Sequence, residues 1–188
     1  FDSVKFSVSR LRHVLRAKAV LCSGLTMSFY DENTSESLEW FYEDGLKDYI
    51  ADALHGWEVL PVEPFIGAFA SENEAIDWAV QWLPEGGELV QESYVNLIPT
   101  PQGGTHENGL RTGLTRALRT YGEMAGNKKA ASITADDVLG GAQAVLSCFI
   151  PEPQFQGQTK DKLNNPEVRA QIEGAVRLEL ERWLQDNT

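Results

Sequence analysis

Apolar residues recur along this chain in two rhythms, one of about 3.6 residues and one of two, and the alternation between them predicts the order of elements. From Ser7 to Leu21 the stripe Val8, Leu11, Leu15 and Ala19 has helical spacing, with Arg10, Arg12, Arg16 and Lys18 largely off it. Two apolar and aromatic runs then flank the polar segment Asp31 to Ser37 and predict a hairpin. A short helix is predicted over Leu46 to Leu54, and Gly56 to Pro64, with two prolines, is predicted as loop. The runs "PFIGAFAS", "EAIDWAVQWL" and "VQESYVNLIP" are apolar or alternating and predict three strands, with "PEGGEL" as the turn before the third.

The glycine-rich "PTPQGGTH" leads into a helix from about His106 to Met124, whose stripe is Leu110, Leu114, Ala117, Leu118 and Tyr121. Thr105 is available to cap it, and Thr134 to cap a short helix in "ITADDVLGG". The nearly unbroken apolar run Ala142 to Ile150 predicts a central strand buried on both faces. After "PEPQFQGQTKDKLNN" a last helix opens at Pro166, following Asn165, and runs to about Gln185. At 1.5 Å per residue it would be about 30 Å long. This order predicts an α+β or α/β fold, a mixed sheet with helices on one face.

Composition narrows the picture. The chain has 188 residues, enough for one self-sufficient domain. Its net charge of -12 excludes a surface that is basic throughout, so any anion site is a local concentration of basic groups. Cys22 and Cys148 are far apart and suit buried thiols in a reducing cytoplasm. No apolar run approaches the roughly 18 residues that would predict a membrane-spanning helix. The first residue is Phe1, and "FDSVKF" begins abruptly, as expected of a piece of a longer protein.

Candidate chemistry is sparse. His13, His55 and His106 are isolated from any second ligand at metal spacing, and no nucleophile, Walker or zinc motif is present. In "QGGTHENGLR" the two glycines permit tight backbone ahead of a helix carrying Arg111, Arg116 and Arg119. By residue type alone those arginines read first as a solvated face. The loop "QGQTKDK", held between a buried strand and a helix, offers a glutamine amide and a lysine, a combination suited to phosphate. An exposed lysine is ordinarily just solvated, and residue types alone leave both readings open.

The segments "NLIPTPQGGTHENGLRTGL", "AVLS" and "IPEPQFQGQTKDKLNNPEV" resemble the transducer domain of bacterial type IIA topoisomerase ATPase subunits, over essentially the whole chain. "ESYVNLIPT" and "FDSVKFSVSRLRHVLRAKAVLCSGL" tilt the resemblance toward topoisomerase IV B subunits (ParE) rather than gyrase. The resemblance implies a left-handed βαβ crossover in a superfold shared with ribosomal proteins and GHMP kinases. It implies residues 1–24 as an N-terminal helix at the junction with a preceding GHKL-type nucleotide domain, and residues 25–188 as the transducer domain. It also implies that Gln158, Lys160 and Thr159 approach the γ-phosphate of ATP. Most ATP and Mg2+ contacts, and the catalytic base, would belong to the other domain, so the fragment alone is not expected to be catalytic. Implied partners are DNA, the topoisomerase IV A subunit (ParC) and a second B subunit, with no membrane and a cytoplasmic location. Arg111, and more weakly Arg116 and Arg119, would line the DNA cavity. One position departs from the pattern: Phe149, after Cys148, stands where family members commonly carry lysine, and Glu152 replaces a usual aspartate.

Overall fold

The computed structural model describes residues 6–187; residues 1–5 of the expected N-terminal segment lie outside it. Helix α1 spans Val8–Leu21, with Ser7 at its N-cap accepting from the Arg10 amide. Strands β1 (Met27–Asp31) and β2 (Glu36–Trp40) form the expected hairpin, paired in register from Met27–Trp40 to Asp31–Glu36. Helix α2 covers Leu46–Ala53.

The main sheet comprises β3 (Leu60–Ala70), β4 (Ala75–Trp82), β5 (Gln91–Val95), β6 (Ile98–Pro99) and β7 (Ala142–Phe149), in the order β3-β4-β7-β5-β6. The β4–β7 and β3–β4 pairs are antiparallel, whereas β5 runs parallel to β7. A parallel neighbour demands a long crossover, and it is supplied by α3 (Thr105–Met124), a 3-10 turn at Ala130–Ser132 and α4 (Ala135–Leu139). Thr134 caps α4 in a reciprocal box with Asp137. A two-stranded hairpin, β8 (Phe155–Gln156) with β9 (Lys162–Leu163), precedes α5 (Pro166–Asp186). At 21 residues α5 is about 31 Å long.

The run "VQESYVNLIP" folds as two antiparallel strands, β5 and β6, and not one, because the chain turns at Asn96 and Leu97 with positive φ. Three further expectations are corrected. Gly56 to Pro64 is not all loop: β3 starts at Leu60 and bulges before Phe65. Two prolines are tolerated because β3 is an edge strand with an irregular register there. Gln81 holds this stretch by donating its amide to the Pro61 and Val62 carbonyls. Second, helices cover both faces of the sheet. Even positions of β4 and β7 (Ile76, Trp78, Val80, Leu146, Cys148) pack on α3 and α5, while Ala79 and Val145 pack on Ile50 and Leu54 of α2 and its C-terminal boundary and on Ala19 and Val20 of α1. Both sets are apolar, so both need a cover. Third, Thr105 does not cap α3; it is the first helical residue, and Gly104 occupies the cap position. The central position of β7, the mixed sheet and the long final helix agree with the pattern read from the sequence.

Candidate functional site

The hairpin β8–β9 is closed at its base by backbone and side chain together. Asn165, buried just ahead of α5, accepts the Gln154 amide at 2.6 Å and donates to the Glu152 carbonyl at 3.2 Å. The Asn164 amide donates to the Gln154 carbonyl. Asn165 thus clamps the two ends of the hairpin instead of capping α5 with its side chain, and it also donates to Glu167, which lowers that carboxyl's pKa.

Between these fixed ends Gln158, Thr159 and Lys160 form an exposed tip. Gly157 and Lys160 both adopt positive φ, 77° and 60°. That conformation is ordinary for glycine, but for lysine it is held only where the surroundings impose it. The Lys160 ammonium lies 5.8 Å from the centre of the Phe155 ring, and it makes no ion pair among the described residues. The tip therefore presents an amide, a hydroxyl and a cation, free to meet an anion without first breaking an ion pair.

The other motif singled out in the sequence lies directly beneath. The Leu163 amide donates to the Gly103 carbonyl at 3.0 Å, the Gln102 amide donates to the Asp161 carbonyl at 2.9 Å, and Gly104 bridges Leu163 in parallel. Behind this turn sits a buried polar cluster that sequence reasoning missed. Thr100 Oγ1 is 2.9 Å from His106 Nε2 and donates to the Ser93 carbonyl; Ser93 Oγ donates to Glu107 at 2.6 Å. His106 is fully buried, and burial holds its imidazole down to about 4. The available signal was the spacing of Thr100 and His106 around a Gly-Gly pair, which by itself suggests only a turn.

The three arginines of α3 part company. Arg116 pairs with Glu173 of α5, and Arg119 donates to the Ile133 carbonyl, securing the segment before α4. Arg111 is exposed, without an ion pair among the described residues, and borders a hollow of about 370 Å³ with Glu88, Glu92, Glu107 and Asp136. Those carboxylates weaken the local positive potential. Cys148 is buried, which pushes its thiol up, and Cys22 is half-buried. Phe149, at the departing position, ends β7 opposite Ala75.

This fold recurs in the ATP-binding regions of type IIA topoisomerases. The topoisomerase IV ATP-binding domain of Francisella tularensis superposes with a TM-score of 0.84 at 39% identity, covering 100% of this chain and 50% of that one. The gyrase B ATPase domain of Thermus thermophilus superposes at 0.82 and 29% identity, again covering 100% and 50%. The chain belongs to the DNA gyrase B family, whose pattern matches residues 45–188. It is 52% identical over 188 residues to the B subunit of DNA topoisomerase 4 from Pseudomonas aeruginosa and 50% identical to that from Haemophilus influenzae. Each match covers 100% of this chain but only 30% of the relative's length.

Proposed function

We propose that the chain is the transducer domain of a topoisomerase IV B subunit and that its β8–β9 tip senses the γ-phosphate of ATP bound to a preceding domain. The observation that carries this reading is the tip itself: Gln158, Thr159 and Lys160 are exposed and clear of ion pairs among the described residues, on a hairpin clamped at its base by Asn165. A lysine meets phosphate as a compact charge, and the glutamine amide adds directional donors. A γ-phosphate contact exists before hydrolysis and is lost afterwards, so it biases two orientations of the domains. ATP and Mg2+ would be held mainly by the preceding domain, with α1 at the junction and residues 25–188 forming the transducer.

In this reading α5 carries the movement toward the DNA-cleavage core, and the whole enzyme works in the cytoplasm as a dimer of B subunits joined to A subunits. It passes one DNA duplex through another, relaxing supercoils and decatenating at the expense of ATP. Arg111 is the α3 arginine left free to face DNA, because Arg116 and Arg119 are engaged within the domain. The equivalent domain of gyrase is the nearest alternative, supported by the gyrase B family pattern over residues 45–188.

The test is Lys160→Ala in the full-length protein assembled with its A subunit. Loss of a charge-assisted hydrogen bond is worth about 1.5–3 kcal/mol, so ATP-dependent decatenation is expected to fall by roughly tenfold or more. Unchanged ATP turnover and unchanged decatenation would remove the phosphate-contact assignment.

A further inference from the structure

The hairpin does not stand on α5 alone. Immediately after Lys160, Asp161 accepts from Gln102 and Leu163 donates to Gly103, so the two residues flanking Lys162 are pinned to the Gly103–Gly104 turn. The approach is close: a Cβ on Gly104 would lie 2.2 Å from the Leu163 oxygen and 2.6 Å from its nitrogen. Gly104 also has φ 138° and ψ -155°, a conformation open essentially to glycine. No side chain fits there unless β9 moves.

The turn is itself fixed from behind. The Gly103 amide donates to the Thr100 carbonyl at 2.8 Å, and the Thr100 amide donates to the Ser93 carbonyl of β5 at 2.9 Å. The Thr100 hydroxyl meets His106 on the first turn of α3, and Glu107 of that turn accepts from Ser93. Lys160, held at a φ of 60° that it would not adopt freely, sits one residue before the first of these anchors.

We propose that the Gly103–Gly104 turn is the seat that sets the position of Lys160, with Gly104 and the Thr100–His106 pair as positioning residues for the γ-phosphate contact. This rests on the reading that Lys160 meets that phosphate. Load on the tip then passes through the seat into β5 and the start of α3, as well as along α5. Gly104 acts by letting β9 approach, and Thr100 and His106 act by keeping the turn from shifting under it.

Four variants of the full-length protein test this: Lys160→Ala, Gly104→Ala, Thr100→Val and Thr100→Ser. Two quantities are read: the ratio of affinities for a non-hydrolysable ATP analogue and for ADP, and hydrogen exchange of the peptide spanning residues 155–165. The seat predicts that Gly104→Ala and Thr100→Val lower the affinity ratio by about tenfold and speed exchange in that peptide, whereas Thr100→Ser, which keeps the hydroxyl, restores both. Adding Gly104→Ala to Lys160→Ala should lower the ratio no further, because both remove one contact. If Gly104→Ala fails to fold, the two Thr100 variants decide alone. A lowered ratio in Lys160→Ala with an unchanged ratio in Thr100→Val overturns the seat and leaves the phosphate contact standing. An unchanged ratio in Lys160→Ala overturns both.

Discussion

At His106 the imidazole is enclosed completely, with Thr100 as its hydrogen-bond partner and Nδ1 without one among the described residues. Burial keeps it neutral down to about 4, while the unfolded chain takes up its proton near the ordinary value of 6.5. Between those values the unfolded state binds the extra proton, so stability falls as pH falls. The contribution is whole above the unfolded value and is lost by about pH 4, a change of about 3 kcal/mol at most. Urea midpoints measured from about pH 7 down to about pH 4 should therefore drop more steeply for the natural chain than for His106→Gln. Parallel slopes would mean that the imidazole is not held neutral. At this scale the sequence was partly legible. Gln158 and Lys160 were candidates because an amide and a nearby cation suit phosphate, but residue types left that open and only the resemblance named them with Thr159; the glycines stood out because they permit a tight turn. His106 and Asn165 did not stand out, since their roles depend on Thr100 and Gln154, which only the folded chain brings to them.

Among the elements, α3 and α5 share the most extensive contact. A Cβ on Gly109 would sit 2.6 Å from the Arg169 carbonyl oxygen, and one on Gly113 would sit 3.0 Å from that of Glu173. These glycines let two helix backbones meet, whereas Gly174 of α5 has nothing within 4 Å of the corresponding position. The same substitution should thus change sign along one helix pair. Gly174→Ala is expected to stabilise by about 0.5–1 kcal/mol through helix propensity. Gly109→Ala is expected to destabilise by about 1–3 kcal/mol, because overpacking against backbone outweighs that gain. Denaturant unfolding of both variants checks this, and stabilisation by Gly109→Ala would contradict the packing described. Helical spacing revealed both helices from sequence, but the spacing of Gly109 and Gly113 on the contact line was not read. The prolines of β3 suggested loop for a related reason, since an edge strand tolerates what a central one does not.

Over the whole molecule, the sheet joins two cores. One holds α3 and α5 under the hairpin seat; the other holds α2 and the end of α1. Helix α1 is tied to the second core by Arg16, which donates to Tyr42 and Asp52 and lies over the Tyr49 ring, and to the β5–β6 turn by Lys18, which donates to the Leu97 carbonyl. The nearly unbroken apolar run of β7 predicted burial on both sides, yet it did not say which helix takes which side, because partner choice is a tertiary fact. Lys160 is proposed to reach the γ-phosphate of a nucleotide bound outside this chain. The most direct measurement treats the full-length protein with ATP carrying an acyl group on its γ-phosphate, which transfers that group to an adjacent amine, followed by peptide mapping. Acylation at Lys160, ahead of Lys128, Lys129 and Lys162 and suppressed by excess ATP, is the predicted result. An unmodified Lys160 beside labelled lysines elsewhere in the nucleotide site would contradict it.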